Sequence, residues 1–155
     1  MIVKDIIDIA RSLNLRIATA ESCTGGLVAV ALTDIPGASD VMDRGFVTYS
    51  NAAKVEMLGV STDTLMAHGA VSEQVAQEMA DGALSRSAAD LTVSITGIAG
   101  PGGSEHKPEG RGCFGLARKG LKTYTETKEF GAQGRDKIRQ LSRDHALALL
   151  KRSLD

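Results

Sequence analysis

"LRIATAESCTGGLVAVALTDI", Leu15–Ile35, passes from one backbone pattern to another within a single stretch. "LRIATA" is a short apolar run with strand character, and "GGLVAVALTDI" reads as a helix that stops where Pro36 and Gly37 punctuate it. Between them lie a carboxylate, two hydroxyls and a thiol, with Gly25 and Gly26 directly after, where an ordinary scaffold places one cap and a polar turn. Strand, small-residue turn and helix in immediate succession make the building unit of an α/β fold.

The flanking segments repeat that alternation. Upstream, "VKDIIDIARSLN" sets Ile6, Ile7, Ile9, Ala10 and Leu13 at helical spacing. Downstream, "RGFVTYS" has strand composition, and Asn51 is placed to cap a short helix through "AAKVEML". The segment from Ser61 begins as an irregular turn, after which Ser72 caps a helix with Ala76, Met79, Ala80 and Ala83 on one face. "ADLTVSITG" is the central-strand candidate and runs into the glycine-rich loop "GIAGPGGSEHKPEGRG". "CFGLARKG" and "KTYTETKEF" suit a β-hairpin, and "RDKIRQLSRDHALALLKRSL" closes the chain as a long helix. The expected fold is α/β, a three-layer α/β/α arrangement with a mixed, mostly parallel sheet of about five strands. With no internal repeat, charge block or linker, residues 1–155 read as one domain.

Composition narrows the function. Aromatic residues make up only 3% of the chain, so aliphatic side chains and Met must fill the core. Eighteen basic against nineteen acidic residues leave a formal charge of −1, which provides no global field for nucleic acid or an anionic membrane. Cys23 and Cys113 lack metal-like or CxxC spacing and read as reduced thiols of a cytoplasmic protein. No secretory or membrane-spanning apolar run is evident.

Three segments share one grammar, a β-run followed by polar or glycine residues: "ATAESCTGG", "VTYSNAAK" and "SITGIAGPGG". If their strands are parallel, their ends share the rim where open α/β sheets bind ligands. Ser22 reads either as a helix N-cap or as a nucleophile whose oxyanion is held by the N–H groups around Cys23 to Gly26. Gly25 and Gly26 let backbone approach a substrate closely. Cys23 is the rival nucleophile, activated if a helix N-terminus lowers its pKa, or else a small buried thiol. None of His68, His106 and His145 falls on the proposed rim. Tyr49 and Lys54 do, which suggests a Ser/Lys hydrolase; the plain alternative for Lys54 is a solvated helix charge. In the glycine loop, Thr96 with the backbone of Gly97, Gly100 and Gly102 can form an anion-binding nest. Arg135 and Arg139 begin the closing helix, where either a fork to phosphate or a structural ion pair accounts for them.

"TAESCTGG", "GFVTYSNAAK", "AVSE", "SITGIAGPGG" and "KPEGRGCFGLA", in this order across nearly the whole chain, resemble the CinA C-terminal domain family. Stand-alone members of that family are nicotinamide mononucleotide deamidases. The resemblance implies hydrolysis of the nicotinamide amide to nicotinate mononucleotide and ammonia in pyridine-nucleotide salvage, with no metal or organic cofactor. It places the nucleophilic serine on Ser22, the catalytic lysine on Lys54, the assisting tyrosine on Tyr49, the loop threonine on Thr96 and the substrate-binding arginine on Arg135. The family pattern Gly-Asp-Arg before the last helix is replaced here by "GAQGRDKIR", with Gly134 ahead of Arg135. The N-terminal nucleotide-processing domain of larger members has no counterpart, so a deamidase domain alone is expected. The expected partner is a small-molecule nucleotide, and a homodimer is the default assembly. The competing reading is a nucleotide- or partner-binding module of the same fold without turnover.

Overall fold

A computed structural model describes residues 1–155. Helix α1 (Ile2–Ser12) leads into β1 (Ile17–Glu21), α2 (Leu27–Thr33), β2 (Met42–Val47), α3 (Asn51–Leu58), α4 (Thr62–His68) and α5 (Glu73–Ser85). Then follow β3 (Leu91–Gly97), β4 (Arg111–Arg118), β5 (Tyr124–Glu129) and α6 (Arg135–Leu154). The five strands form one sheet in the order β2-β1-β3-β4-β5. Strand β1 pairs in parallel with β2 and β3, while β4 pairs antiparallel with both β3 and β5. The expected α/β class and mixed five-stranded sheet are those observed.

Side-chain alternation along the strands creates the layers. Ile17 joins Val93 and Ile95 against Ile6 and Ile7 of α1 and Leu147 and Leu150 of α6. On the opposite face Ala20 packs with Leu58 of α3 and with Val75, Met79 and Ala83 of α5. Strand β3 turns only hydroxyls toward α5. Thr92 and Ser94 donate to the carbonyls of Ala80 and Ala76, at 2.8 and 2.6 Å. These bonds satisfy buried polar groups with spare helix acceptors, and the small side chains let α5 lie close to the sheet.

The connection leaving β1 passes to β2 on one side, and the connection leaving β2 returns to β3 on the other. A crevice therefore opens at the carboxyl ends of β1 and β3, the switch point of the sheet. Glu21 is level with Val47 and Ile95 in the register, so β1 and β2 finish at one height and β3 runs two residues further, to Gly97. This is the shared rim expected from the sequence.

Three local expectations are corrected. The irregular turn after Ser61 is α4, whose N-terminus is capped by the Ser61 hydroxyl. It buries no residue, so no apolar periodicity marks it. The cap of α3 is Ser50, which accepts from Ala53 N at 3.0 Å, and Asn51 is already helical. Strand β2 ends at Val47, which leaves Tyr49 in the β2–α3 connection rather than at a strand end. No helix is long and apolar enough to cross a membrane.

Candidate active site

Ser22 follows the last residue of β1, and its N–H donates to Ile95 O of the neighbouring strand at 3.0 Å. It is not a helix N-cap: α2 begins at Leu27, with Gly26 at the cap position in a left-handed conformation (φ 108°) that favours glycine. The Ser22 hydroxyl instead faces Lys54, whose Nζ lies 3.0 Å from Oγ.

Lys54 is 1% exposed, which overturns the reading of a solvated helix charge. Its Nζ also donates to Thr48 O at 3.0 Å and Tyr49 O at 3.3 Å. A charged ammonium satisfies all three acceptors. After loss of one proton the two carbonyls can still each take an N–H, and the lone pair turns to Ser22, the one neighbour of the three with a proton to give. Burial lowers the pKa of this amine below the usual lysine range, the direction a general base requires.

Cys23 is 6% exposed and its thiol is pushed up to about 11, chiefly by burial. Of the two readings offered for it, the small buried thiol is the one observed; a helix N-terminus does not activate it, since the first amides of α2 are already engaged. Glu21 takes them: its carboxylate accepts from Val28 N and Ala29 N, each at 3.0 Å, and from Thr24 Oγ1 at 2.7 Å. Glu21 is 0% exposed and went unnoticed in the sequence, although a carboxylate between a strand and a glycine turn is itself a capping signal.

Tyr49 is 60% exposed, and its hydroxyl accepts from Arg135 at 2.8 Å. Its carbonyl, not its phenol, touches the Ser22–Lys54 pair. Arg135 also donates to Gly100 O at 2.6 Å. The two residues stand where a cleft of about 190 Å³ over Ser22 and Lys54 meets one of about 290 Å³ along the glycine loop. Thr96 and Gly97 border the inner cleft, and the Thr96 hydroxyl donates to Ala70 O at 2.8 Å. Gly100 and Gly102 line the outer one. The Gly102 N–H is engaged by the Glu109 carboxylate at 2.5 Å, whereas the amides of Ala99, Gly100 and Gly103 have no protein acceptor. Gly25 and Gly26 lie in the turn beside the nucleophile candidate; the Gly25 N–H is spent on Ser22 O.

Arg139 has a different place from Arg135, one turn further along α6. Its guanidinium donates to Cys23 O at 3.0 Å and Thr24 O at 3.4 Å, so it grips the turn from behind. His68, His106 and His145 lie outside the inner cleft, and His145 packs against Phe114 with ring centroids 4.6 Å apart. No group of three or more His, Cys, Asp or Glu side chains gathers as a metal site.

Comparison with known proteins fits this arrangement. The CinA C-terminal domain description matches residues 1–154. A CinA-like protein of Chloroherpeton thalassium is 54% identical over 129 residues, covering 81% of this chain and 31% of that protein. The chain spans 29 to 36% of the length of five such curated relatives. A protein of Enterobacter agglomerans named nicotinamide-nucleotide amidohydrolase PncC is 58% identical over 115 residues, 74% of this chain and 70% of its own. A competence/damage inducible protein of Agrobacterium tumefaciens superposes with a TM-score of 0.95 at 48% identity, covering 99% of this chain and 93% of that one. With its family description matched from end to end, the chain belongs to the CinA C-terminal domain family.

Proposed function

We propose that the protein hydrolyses the carboxamide of nicotinamide mononucleotide, giving nicotinate mononucleotide and ammonia through a Ser22 acyl-enzyme. The observation that carries the reading is the buried Lys54 amine 3.0 Å from the Ser22 hydroxyl, with two carbonyls to hold its remaining N–H bonds. The similarity to the Enterobacter agglomerans amidohydrolase supplies the substrate class.

In the first half-reaction Lys54 Nζ takes the Ser22 proton and Oγ bonds to the amide carbon. The tetrahedral oxyanion is held by backbone N–H groups of the Ser22 turn. The C–N bond then breaks, and Lys54 returns the proton to the departing ammonia. In the second, water attacks the ester, gives its proton to Lys54, and the Ser22 oxygen leaves and recovers it. Tyr49 orients Arg135 through its hydroxyl, and Arg135 with the unpartnered loop amides receives the phosphate.

The test is ammonia release from the mononucleotide, nicotinamide riboside and free nicotinamide, side by side. The mononucleotide should be the good substrate, Ser22→Ala should be inactive, and Arg135→Ala should raise KM about tenfold or more while sparing kcat. Lys54→Arg should be inactive as well, because guanidinium stays protonated. Equal efficiency on riboside and mononucleotide would remove the phosphate site. Nucleotide binding without ammonia from any substrate would leave a binding module in its place.

A further inference from the structure

Ordinary helices of this kind are capped by the side chain of their own N-cap residue; here the N-cap is Gly26 and the cap comes from the preceding strand. Glu21 ties the end of β1, the turn at Thr24 and the first turn of α2 into one unit. No cation pairs with its carboxylate, so charge-assisted hydrogen bonds and the helix dipole hold the charge. From the opposite end, Arg139 draws the carbonyls of Cys23 and Thr24 toward α6.

These contacts decide which amides remain for an oxyanion. Val28 and Ala29 N–H are spent on Glu21, Gly25 N–H on Ser22 O and Leu27 N–H on Thr24 O. Cys23, Thr24 and Gly26 N–H have no partner in another residue, and of the three only Cys23 and Thr24 belong to peptides whose carbonyl is held, Ser22 O by Gly25 N–H and Cys23 O by Arg139. Within a trans peptide C=O and N–H point in opposite directions. The Cys23 carbonyl is drawn to α6, so the Thr24 N–H points away from it, toward the face of the sheet where α3 holds Lys54. The Ser22 carbonyl, fixed by Gly25 N–H, sets the Cys23 N–H in the same way.

We infer that Glu21 and Arg139 are positioning residues: through the turn they fix the Cys23 and Thr24 amides as the oxyanion donors, and neither touches substrate. The inference rests on the Ser22–Lys54 reading above. It narrows the expected donors, the N–H groups around Cys23 to Gly26, to the two whose peptides are held, and the first amides of α2 are occupied.

The test uses Glu21→Gln, which keeps size but sets an amide NH₂ against a donor, and the pair Arg139→Lys and Arg139→Ala. A small displacement of the turn is worth about a hundredfold in rate. Glu21→Gln and Arg139→Ala should therefore lose about ten- to a hundredfold in kcat per folded molecule. KM for the mononucleotide and the apparent pKa of kcat/KM should not move, because Arg135 and Lys54 are untouched. Arg139→Lys, which can still reach Cys23 O, should recover part of the loss. A second readout needs no nucleotide: a fluorophosphonate forms an Oγ–P bond at Ser22, fluoride leaves, the serine proton passes to Lys54, and the phosphoryl oxygen takes the oxyanion position. Its labelling rate, followed by mass spectrometry, should fall by the same factor, and should do so in the arginine variants even if Glu21→Gln fails to fold. Variants that melt lower yet label and turn over at the wild-type rate would reduce both residues to scaffolding and overturn the inference. A shifted apparent pKa in Glu21→Gln would also overturn it, since Glu21 would then act on Lys54 by charge. A wild-type protein that labels but releases no ammonia would refute the nucleotide substrate and leave the positioning measurable on the probe. If it neither labels nor turns over, both readings fall.

Discussion

Cys23 and Lys54 border the same cleft, and desolvation acts on both in the direction of the neutral form. For the lysine neutrality is activation, because only the free amine can accept the Ser22 proton. For the thiol it is silence, because the nucleophile is the thiolate. With the thiol pushed up to about 11, roughly one molecule in ten thousand carries a thiolate at neutral pH. Cys23→Ala should therefore keep most of the turnover that Ser22→Ala abolishes. Iodoacetamide should modify Cys23 far more slowly than a free thiol at pH 8, with the rate still climbing above pH 10. Ready alkylation at pH 7, or loss of all activity in Cys23→Ala alone, would transfer the nucleophile to the thiol. At this scale the sequence pointed to the residues of the proposed reaction, passed over Glu21, and read Arg139 as a phosphate fork or an ion pair where it instead holds two backbone carbonyls. Ser22, Tyr49 and Lys54 stand out because a hydroxyl follows one strand-like run and a phenol and an amine follow another. Glu21 acts through two backbone N–H groups and the Thr24 hydroxyl and Arg139 through two backbone carbonyls, and no residue pattern records which of these a side chain will meet.

Between elements, the position of Lys54 depends on how α3 rests against α5. Gly82 of α5 faces the carbonyl of Leu58 at the end of α3, and a methyl group there would fall inside the van der Waals envelope of that oxygen. Arg86 donates to the same carbonyl at 3.1 Å. In an unconstrained helix interior, Gly→Ala stabilises by about 1 kcal/mol. Here the sign reverses: Gly82→Ala must move backbone, and overpacking of this kind costs roughly 1–3 kcal/mol. Its melting temperature should fall by several degrees, and kcat should fall with it as α3 carries Lys54 off the Ser22 hydroxyl. A rise in melting temperature would show the two helices to be loosely packed. The helices and strands themselves were largely legible, because buried faces leave a period of 3.6 or 2 in the sequence. Helix α4 was not, since it buries nothing, and the end of β2 was misjudged because "TYS" continues its composition without continuing its ladder.

For the whole molecule, a lysine that is 1% exposed ties stability to the same proton that the proposed general base exchanges. Its pKa is lowered in the fold, so over the interval between that value and the unfolded value of about 10.4 the unfolded chain binds the extra proton. Stability then rises with pH through that interval, by at most about 1.4 kcal/mol per pH unit, and is lost again as pH falls to the folded pKa. Lys54→Met removes the titrating group and keeps the apolar stem. It also unpairs Ser22 Oγ and the carbonyls of Thr48 and Tyr49, so its absolute stability combines opposing effects. The difference between wild type and variant isolates the proton. Measured by denaturant unfolding from pH 6 to pH 11, wild type should gain on Lys54→Met as pH rises, and the gain should level off above about pH 10.4. Its lower bend should coincide with the apparent pKa at which kcat/KM of wild type rises, since both report deprotonation of one amine in the free enzyme. Parallel stability curves for the two proteins would mean that Lys54 keeps an ordinary ammonium in the fold, and the base role would fall with it.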